Sequence, residues 1–283
     1  SNNKLVHYTP VPTPGPRLPH DMAFTENYSI LVDLPMFWNP TLLEQGKYHA
    51  EYHPELPTRF AILPRYGTAE DAIWFEASPT YVLHWMNAYE DGDEIILDGY
   101  FQDDPDPAPL PGLPPAAGKM MANIDLCSLK TRLHRWRFNL KTGEVKEQHL
   151  DERALEFGTF NQRYAGIKSR YLYSVWNEPG MFLFSGMVKH DLETGDSWEL
   201  PFGEQRYGSE APFAPRVNAK DEDDGYLVSF ITDMKADRSE CVLIDAKDIE
   251  AGPVCRIILP HRISSGTHAT WADGQSIRTY QNP

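Results

Sequence analysis

Apolar and aromatic residues along this chain fall in short runs separated by turn-forming residues. The runs are 28–34, 59–64, 94–101, 132–140, 170–176, 182–191, 225–233, 241–244 and 254–259. They are rich in Val, Ile, Tyr, Phe and Trp, which suit a pleated, half-buried surface, and turn residues bound them. Helical periodicity is weak throughout, the best short candidate being 150–157. The pattern predicts an all-β chain.

An internal repeat narrows the architecture. Asn139-Leu140-Lys141-Thr142-Gly143-Glu144 recurs 52 residues later as Asp191-Leu192-Glu193-Thr194-Gly195-Asp196, each time between two apolar strands. A third strand closes on Leu243-Ile244-Asp245, a further 54 residues along, with a loop in place of the Thr-Gly turn. Asn or Asp opening a Thr-Gly turn is hairpin chemistry, with glycine taking the positive φ the turn demands. A hairpin period of roughly 50 residues is the mark of propeller blades, the alternative being unrelated hairpins that share a common turn.

The segment 103–118 breaks this rhythm with six prolines among acidic and small residues. So much proline excludes a central strand or a helix interior, which leaves a loop over a site or a plain solvated one. Over 283 residues, 41% hydrophobic and 12% aromatic content suffice for a real core, and a single β-domain over 1–283 is expected. The net charge of −15 and pI near 5.0 argue against nucleic acid or an anionic membrane as an electrostatic partner. They leave a neutral, apolar ligand open. No apolar run reaches transmembrane length and no signal peptide opens the chain. Ser1-Asn2 fits a scar left where a piece is cut from a longer protein. Cys127, Cys241 and Cys255 are odd in number and show no metal-site spacing, so they read as free, mostly buried thiols in a reducing cytoplasm. Asn27-Tyr28-Ser29 matches a glycosylation sequon by chance.

Three of the ten histidines stand in distinctive surroundings. His20 opens His20-Asp21-Met22-Ala23-Phe24-Thr25-Glu26-Asn27-Tyr28. His84 lies in Tyr81-Val82-Leu83-His84-Trp85-Met86-Asn87-Ala88-Tyr89-Glu90, and His268 in Ser265-Gly266-Thr267-His268-Ala269-Thr270-Trp271. Gly266 lets backbone approach a central site closely. His7, His49, His53, His134, His149, His190 and His261 read as packed or surface histidines. Intervals of 64 and 184 residues place the three on different blades, which only a closed ring brings to one axis.

These contexts, in this order, resemble the carotenoid cleavage oxygenases, the family that also holds the lignostilbene dioxygenases. The likeness runs from His20 to Trp271. The resemblance implies a β-propeller, seven-bladed in the family and about five blades here, N-terminally truncated, with 103–118 contributing to a cap. It implies iron(II), Fe(II), held by four histidines, of which His20, His84 and His268 are three and the fourth lies upstream of Ser1. Iron(II) accepts neutral nitrogen donors, and carboxylates one layer out orient such rings by accepting their free N–H. By the same resemblance Glu156, in Leu155-Glu156-Phe157, and Glu210, in Gly208-Ser209-Glu210-Ala211-Pro212, take that task. Asn161-Gln162-Arg163-Tyr164-Ala165-Gly166 fixes the register of Glu156, although Gly158-Thr159 stands where the family usually has Pro-Arg. Gly-Thr-His-Ala replaces the family's frequent Gly-Phe-His-Gly around His268, which alters pocket wall rather than ligand.

The implied reaction is cleavage of a carbon–carbon double bond of an apocarotenoid by O2, giving two carbonyl products in a dry, apolar tunnel. A stilbene of the lignostilbene type is the alternative substrate, and a non-catalytic propeller scaffold the alternative role. The implied partners are an apolar small molecule and O2; peripheral membrane contact and oligomeric state stay open. His-Glu-x-x-His, Gly-x-Ser-x-Gly and a glycine-rich phosphate loop are absent. Asp221-Glu222-Asp223-Asp224 lacks EF-hand spacing and reads as a solvated hairpin tip.

Overall fold

A computed structural model of the chain describes residues 4–274 and residue 277. The chain divides into two compact units. The first gathers residues up to Glu156 together with 165–168 and 179–181, and the second holds 157–164, 169–178 and the residues from Phe182 onward.

In the first unit the strands are β1 (Ala23–Phe24), β2 (Tyr28–Asp33), β3 (Met36–Trp38), β4 (Ala50–Tyr52), β5 (Thr58–Pro64), β6 (Ile73–Ala77), β7 (Trp85–Asp91), β8 (Glu94–Gln102), β9 (Thr131–Asn139) and β10 (Val145–His149). They form one sheet in the order β1-β2-β5-β6 and another in the order β10-β9-β8-β7, with β3-β4 a separate hairpin. Every pairing is antiparallel. Aromatic rings fill the core: Phe60 meets Trp85 at 5.8 Å and Phe138 at 4.8 Å, and Trp85 meets Trp136 at 5.2 Å between centroids. Fully burying each such ring contributes on the order of 2–3 kcal/mol. Helix α1 (Pro40–Glu44) starts at the Asn39 cap, whose side chain accepts the Leu42 N–H at 3.0 Å.

The next sheet runs β11 (Leu155–Thr159), β12 (Tyr171–Asn177), β13 (Phe184–Asp191), β14 (Ser197–Pro201). The last runs β15 (Arg206–Tyr207), β17 (Gly225–Asp233), β18 (Arg238–Asp245), β19 (Pro253–Ile258), with β16 (Phe213–Pro215) also on β17. The repeat therefore has a structural meaning. Asn139–Glu144 joins β9 to β10, Asp191–Asp196 joins β13 to β14, and Asp245 ends β18 before β19, the same step in three sheets. Asn139 Oδ1 accepts the Lys141 and Thr142 N–H groups, and Asp191 Oδ1 accepts those of Glu193 and Thr194. Gly143 and Gly195 take φ of 76° and 80°. Four sheets of at least four strands are present among the described residues, where the family resemblance implies about five blades.

All nine predicted runs are strands within a residue or three at each end. Three expectations are corrected. The 150–157 stretch is not helical, because Leu155 and Glu156 enter β11 with both side chains buried. The proline-rich segment is not wholly loop: α2 (Pro115–Ala122) begins inside it, and Pro115 occupies the first turn, where proline's missing N–H is harmless. α3 (Leu126–Leu129) follows, capped by Asp125. The acidic tip is not simply solvated, since Asp223 is buried and bonds the buried Lys189 ammonium at 2.8 Å. That ammonium also lies 4.3 Å from the Tyr171 ring centroid. The thiols are less buried than expected, Cys255 being exposed and Cys127 and Cys241 intermediate.

Candidate metal centre

In the first unit His20 lies three residues before β1 and His84 directly precedes β7, so each sits at the entry to the first strand of its sheet. Their rings meet edge to face, centroids 5.2 Å apart and planes at 77°. Glu156, fully buried on β11, accepts from His84 Nδ1 at 2.7 Å, with the His84 side chain 15% exposed. A carboxylate accepts, so Nδ1 carries the ring proton and Nε2 carries the lone pair. That is the tautomer a metal requires of an imidazole.

Carboxylates and an amide fix the segments that carry these rings. Asp21 Oδ2 accepts the Trp85 N–H at 3.0 Å, which ties the residue after His20 to the residue after His84. Glu90 grips the β1–β2 turn, accepting from Thr25 Oγ1 at 2.6 Å and from the Asn27 N–H at 2.9 Å. These bonds hold the Glu90 carboxyl below its usual range against the opposing effect of burial, which is the largest single influence on it. Asn87 accepts the Gly166 N–H at 3.0 Å and donates to the Ile167 carbonyl at 2.8 Å. Asn87 thus ties its strand to Gly166 and Ile167 through two hydrogen bonds. Sequence reasoning assigned no role to Asp21, Asn87 or Glu90; their signal was position, all three lying within quoted blocks beside a histidine.

In the second unit His268 lies past β19, 59% exposed, with Nδ1 3.4 Å from Glu210 Oε2. The same oxygen accepts the Ala269 N–H at 2.6 Å. Gly266 is there for close approach, since a Cβ at that position would come within 3.1 Å of the Ser209 Cβ. The His268 ring lies 5.0 Å from that of Phe157. Phe157 holds φ of 48°, a left-handed conformation that costs an aromatic residue energy, and packs 5.0 Å from Phe184. Each unit therefore contains a histidine whose Nδ1 faces a carboxylate, a donor set that suits a borderline divalent metal.

Fold and donors together define a β-sheet protein of the carboxylate-backed histidine type. Over residues 1–273 the chain matches the family described as retinal pigment epithelial membrane protein, RPE65, and it belongs to that family of carotenoid cleavage oxygenases. It is 34% identical to carotenoid 9,10(9',10')-cleavage dioxygenase of Crocus sativus over 96% of this chain and 51% of that protein. It is 30% identical to lignostilbene-alpha,beta-dioxygenase isozyme III of Sphingomonas paucimobilis over 91% of this chain and 55% of that one. Cobalt-substituted Synechocystis ACO superposes with a TM-score of 0.81 at 27% identity, covering 92% of this chain and 54% of that structure. The chain spans about half the length of these relatives. No helix among the described residues is long and apolar enough to cross a membrane.

Proposed function

We propose that this chain carries iron-binding residues of a non-haem iron(II) dioxygenase that cleaves a carbon–carbon double bond of an apocarotenoid with O2, giving two carbonyl products. The observation that carries the reading is the His84–Glu156 pair, a buried carboxylate that sets an imidazole in its metal-binding tautomer. Support comes also from the His20 ring, which meets that of His84 edge to face at 5.2 Å within the first unit. The carotenoid-cleaving relative at 34% identity favours the apocarotenoid, and the four sheets suit blades of a propeller.

In this reading Fe(II) supplies the centre at which O2 is activated beside the alkene. The protein does the rest. His20, His84 and His268 hold the metal through neutral nitrogens, while Glu156 and Glu210 orient the rings of His84 and His268 and offset the ion's charge. Asp21 and Glu90 fix the spacing of the first two rings through backbone rather than through the metal. The 103–118 segment serves as a cap that keeps water from the reacting bond.

Metal analysis and product analysis test the reading together. The intact protein is expected to bind about one iron per chain, and His84→Ala to lose both iron and cleavage. Full activity with normal iron content in His84→Ala would refute the site.

A further inference from the structure

Two histidines that read from sequence as packed or surface residues face each other in the first unit. His134 on β9 and His149 on β10 stand directly opposite in the antiparallel register. Their Nδ1 atoms are 3.0 Å apart, with the ring planes at 73°. His134 is 4% exposed and packs against Phe101 and Trp136, centroids 4.9 and 4.3 Å away. The His149 side chain is 28% exposed, which leaves the pair open to solvent from one side.

A hydrogen bond between the two rings leaves one nitrogen stranded. His149 Nε2 lies 3.5 Å from Asp103 Oδ1, so that ring keeps its proton on Nε2 and offers a lone pair at Nδ1. His134 must then donate from Nδ1, and its Nε2 is left bare. That atom is buried and makes no hydrogen bond. Buried polar atoms nearly always have partners, so this one calls for an explanation. A cation in place of the shared proton supplies it. Both Nδ1 atoms then give lone pairs, both Nε2 atoms carry protons, and a carboxylate stands behind each ring. Behind His134 it is Glu147, whose Oε1 is 3.9 Å from Nε2. Ser78 fixes that carboxylate, donating from Oγ and N–H to Oε2 at 3.0 and 3.1 Å. Carboxylates in that position orient metal-binding imidazoles and raise their basicity.

Spacing and charge agree with this exchange. Two nitrogens on one zinc, each bonded at about 2.0–2.1 Å, stand roughly 3.0–3.4 Å apart. Arg132 is the cation beside the pair, and it lies 3.2 Å from Asp103 and 2.6 Å from Glu152. Asp103, Glu147 and Glu152 against Arg132 leave an excess of negative charge around the rings. We propose that His134 and His149 form a second metal site, taking a borderline divalent cation such as zinc(II) through their Nδ1 atoms. Among the described residues no third side-chain donor joins the pair, so water completes the shell. β10 is the end strand of its sheet, and an ion bonded to both rings staples it to β9. The site requires no iron at His84.

The test is a zinc titration of the metal-free chain at pH 7.5. Long-range proton–nitrogen NMR reads the histidine rings, and competition with a chromogenic chelator reads the uptake. Zinc is expected to shift the Nδ1 signals of His134 and His149 and to leave both Nε2 atoms protonated. His149→Gln, at a partly exposed ring, should take one zinc per chain from the uptake while thermal unfolding stays cooperative. Glu147→Gln should weaken zinc at this pair by on the order of 10-fold. In His84→Ala both ring shifts should persist, which separates the pair from the centre proposed above. Zinc that moves neither ring, uptake unchanged in His149→Gln, or ring shifts that vanish in a folded His84→Ala chain would overturn the assignment. Zinc at His134 and His149 with no iron at His84 would support this site and sink the iron reading, so the two fail separately.

Discussion

The two histidine–carboxylate pairs share a design and differ in what the carboxylate grips. Glu156 is fully buried and bonds the His84 ring itself at 2.7 Å. Glu210 is 13% exposed, stands 3.4 Å from the His268 ring, and makes its shorter bond to the backbone N–H of Ala269. One carboxylate bonds its ring directly, and the other divides its grip between the His268 ring and the backbone that carries it. A buried pair is expensive to break because the surviving charge stays out of water, whereas an exposed one is screened and worth little. The two pairs should therefore respond very differently to the same substitution.

The largest difference is expected from deleting the rings. His84→Ala takes the ring away from a carboxylate with no exposure and should destabilise the metal-free chain by about 2–3 kcal/mol. His268→Ala, at an exposed ring, should cost under about 1 kcal/mol. Urea unfolding of both variants without metal measures this, and equal costs would erase the distinction between the pairs.

Conservative changes to the carboxylates come next. Glu156→Gln keeps shape but places an amide against His84 Nδ1, and it should weaken iron retention by about 100-fold. Glu210→Gln retains an oxygen for the Ala269 N–H and should weaken it by nearer 10-fold. Competition against a chelator reads both. A larger loss in Glu210→Gln would reverse the comparison.

Much of this was legible in the residues. Hairpin turns with Asn or Asp before Thr-Gly located equivalent steps in separate sheets, because the side-chain oxygen and the positive-φ glycine are local chemistry. The strands that escaped were those whose pattern lies elsewhere. β10 and β14 face water on alternate residues, and β7 carries Asn, Glu and Asp because its side chains hold other segments. The 150–157 stretch read as the best short helix candidate because its last residues, which enter β11, are buried in succession, a run that no 3.6-residue period separates from a strand. At the site, histidines and glutamates stood out by context, whereas Asp21 acts through the Trp85 N–H, and a backbone partner leaves no trace in sequence.

Asp21 gives the next test. Asp21→Ala removes the bond that fixes Trp85, and with it the spacing of His20 and His84, at a cost of about 1 kcal/mol. Iron affinity should fall several-fold. The spectrum of the cobalt-loaded variant should shift if ring geometry changes; an unaltered spectrum with only a lower unfolding temperature would make Asp21 a packing residue.

The smallest effect at neutral pH sharpens the comparison by clearing a background. His134 is buried beside His149, Nδ1 to Nδ1 at 3.0 Å, and burial first, then the His149 charge, pull it down to about 3 from the ordinary 6.5. Below pH 6.5 the unfolded chain takes up a proton that the folded chain refuses until pH nears 3, so stability falls on acidification. The slope approaches ~1.4 kcal/mol per pH unit within that window and vanishes above pH 7.5. His134→Phe should flatten this dependence between pH 6.5 and 4.5 and leave iron content at pH 7.5 untouched. With that titration removed, any acid sensitivity left in urea unfolding of the metal-free chain comes from other groups. If the slope survives His134→Phe unchanged, the buried His134 is not its source.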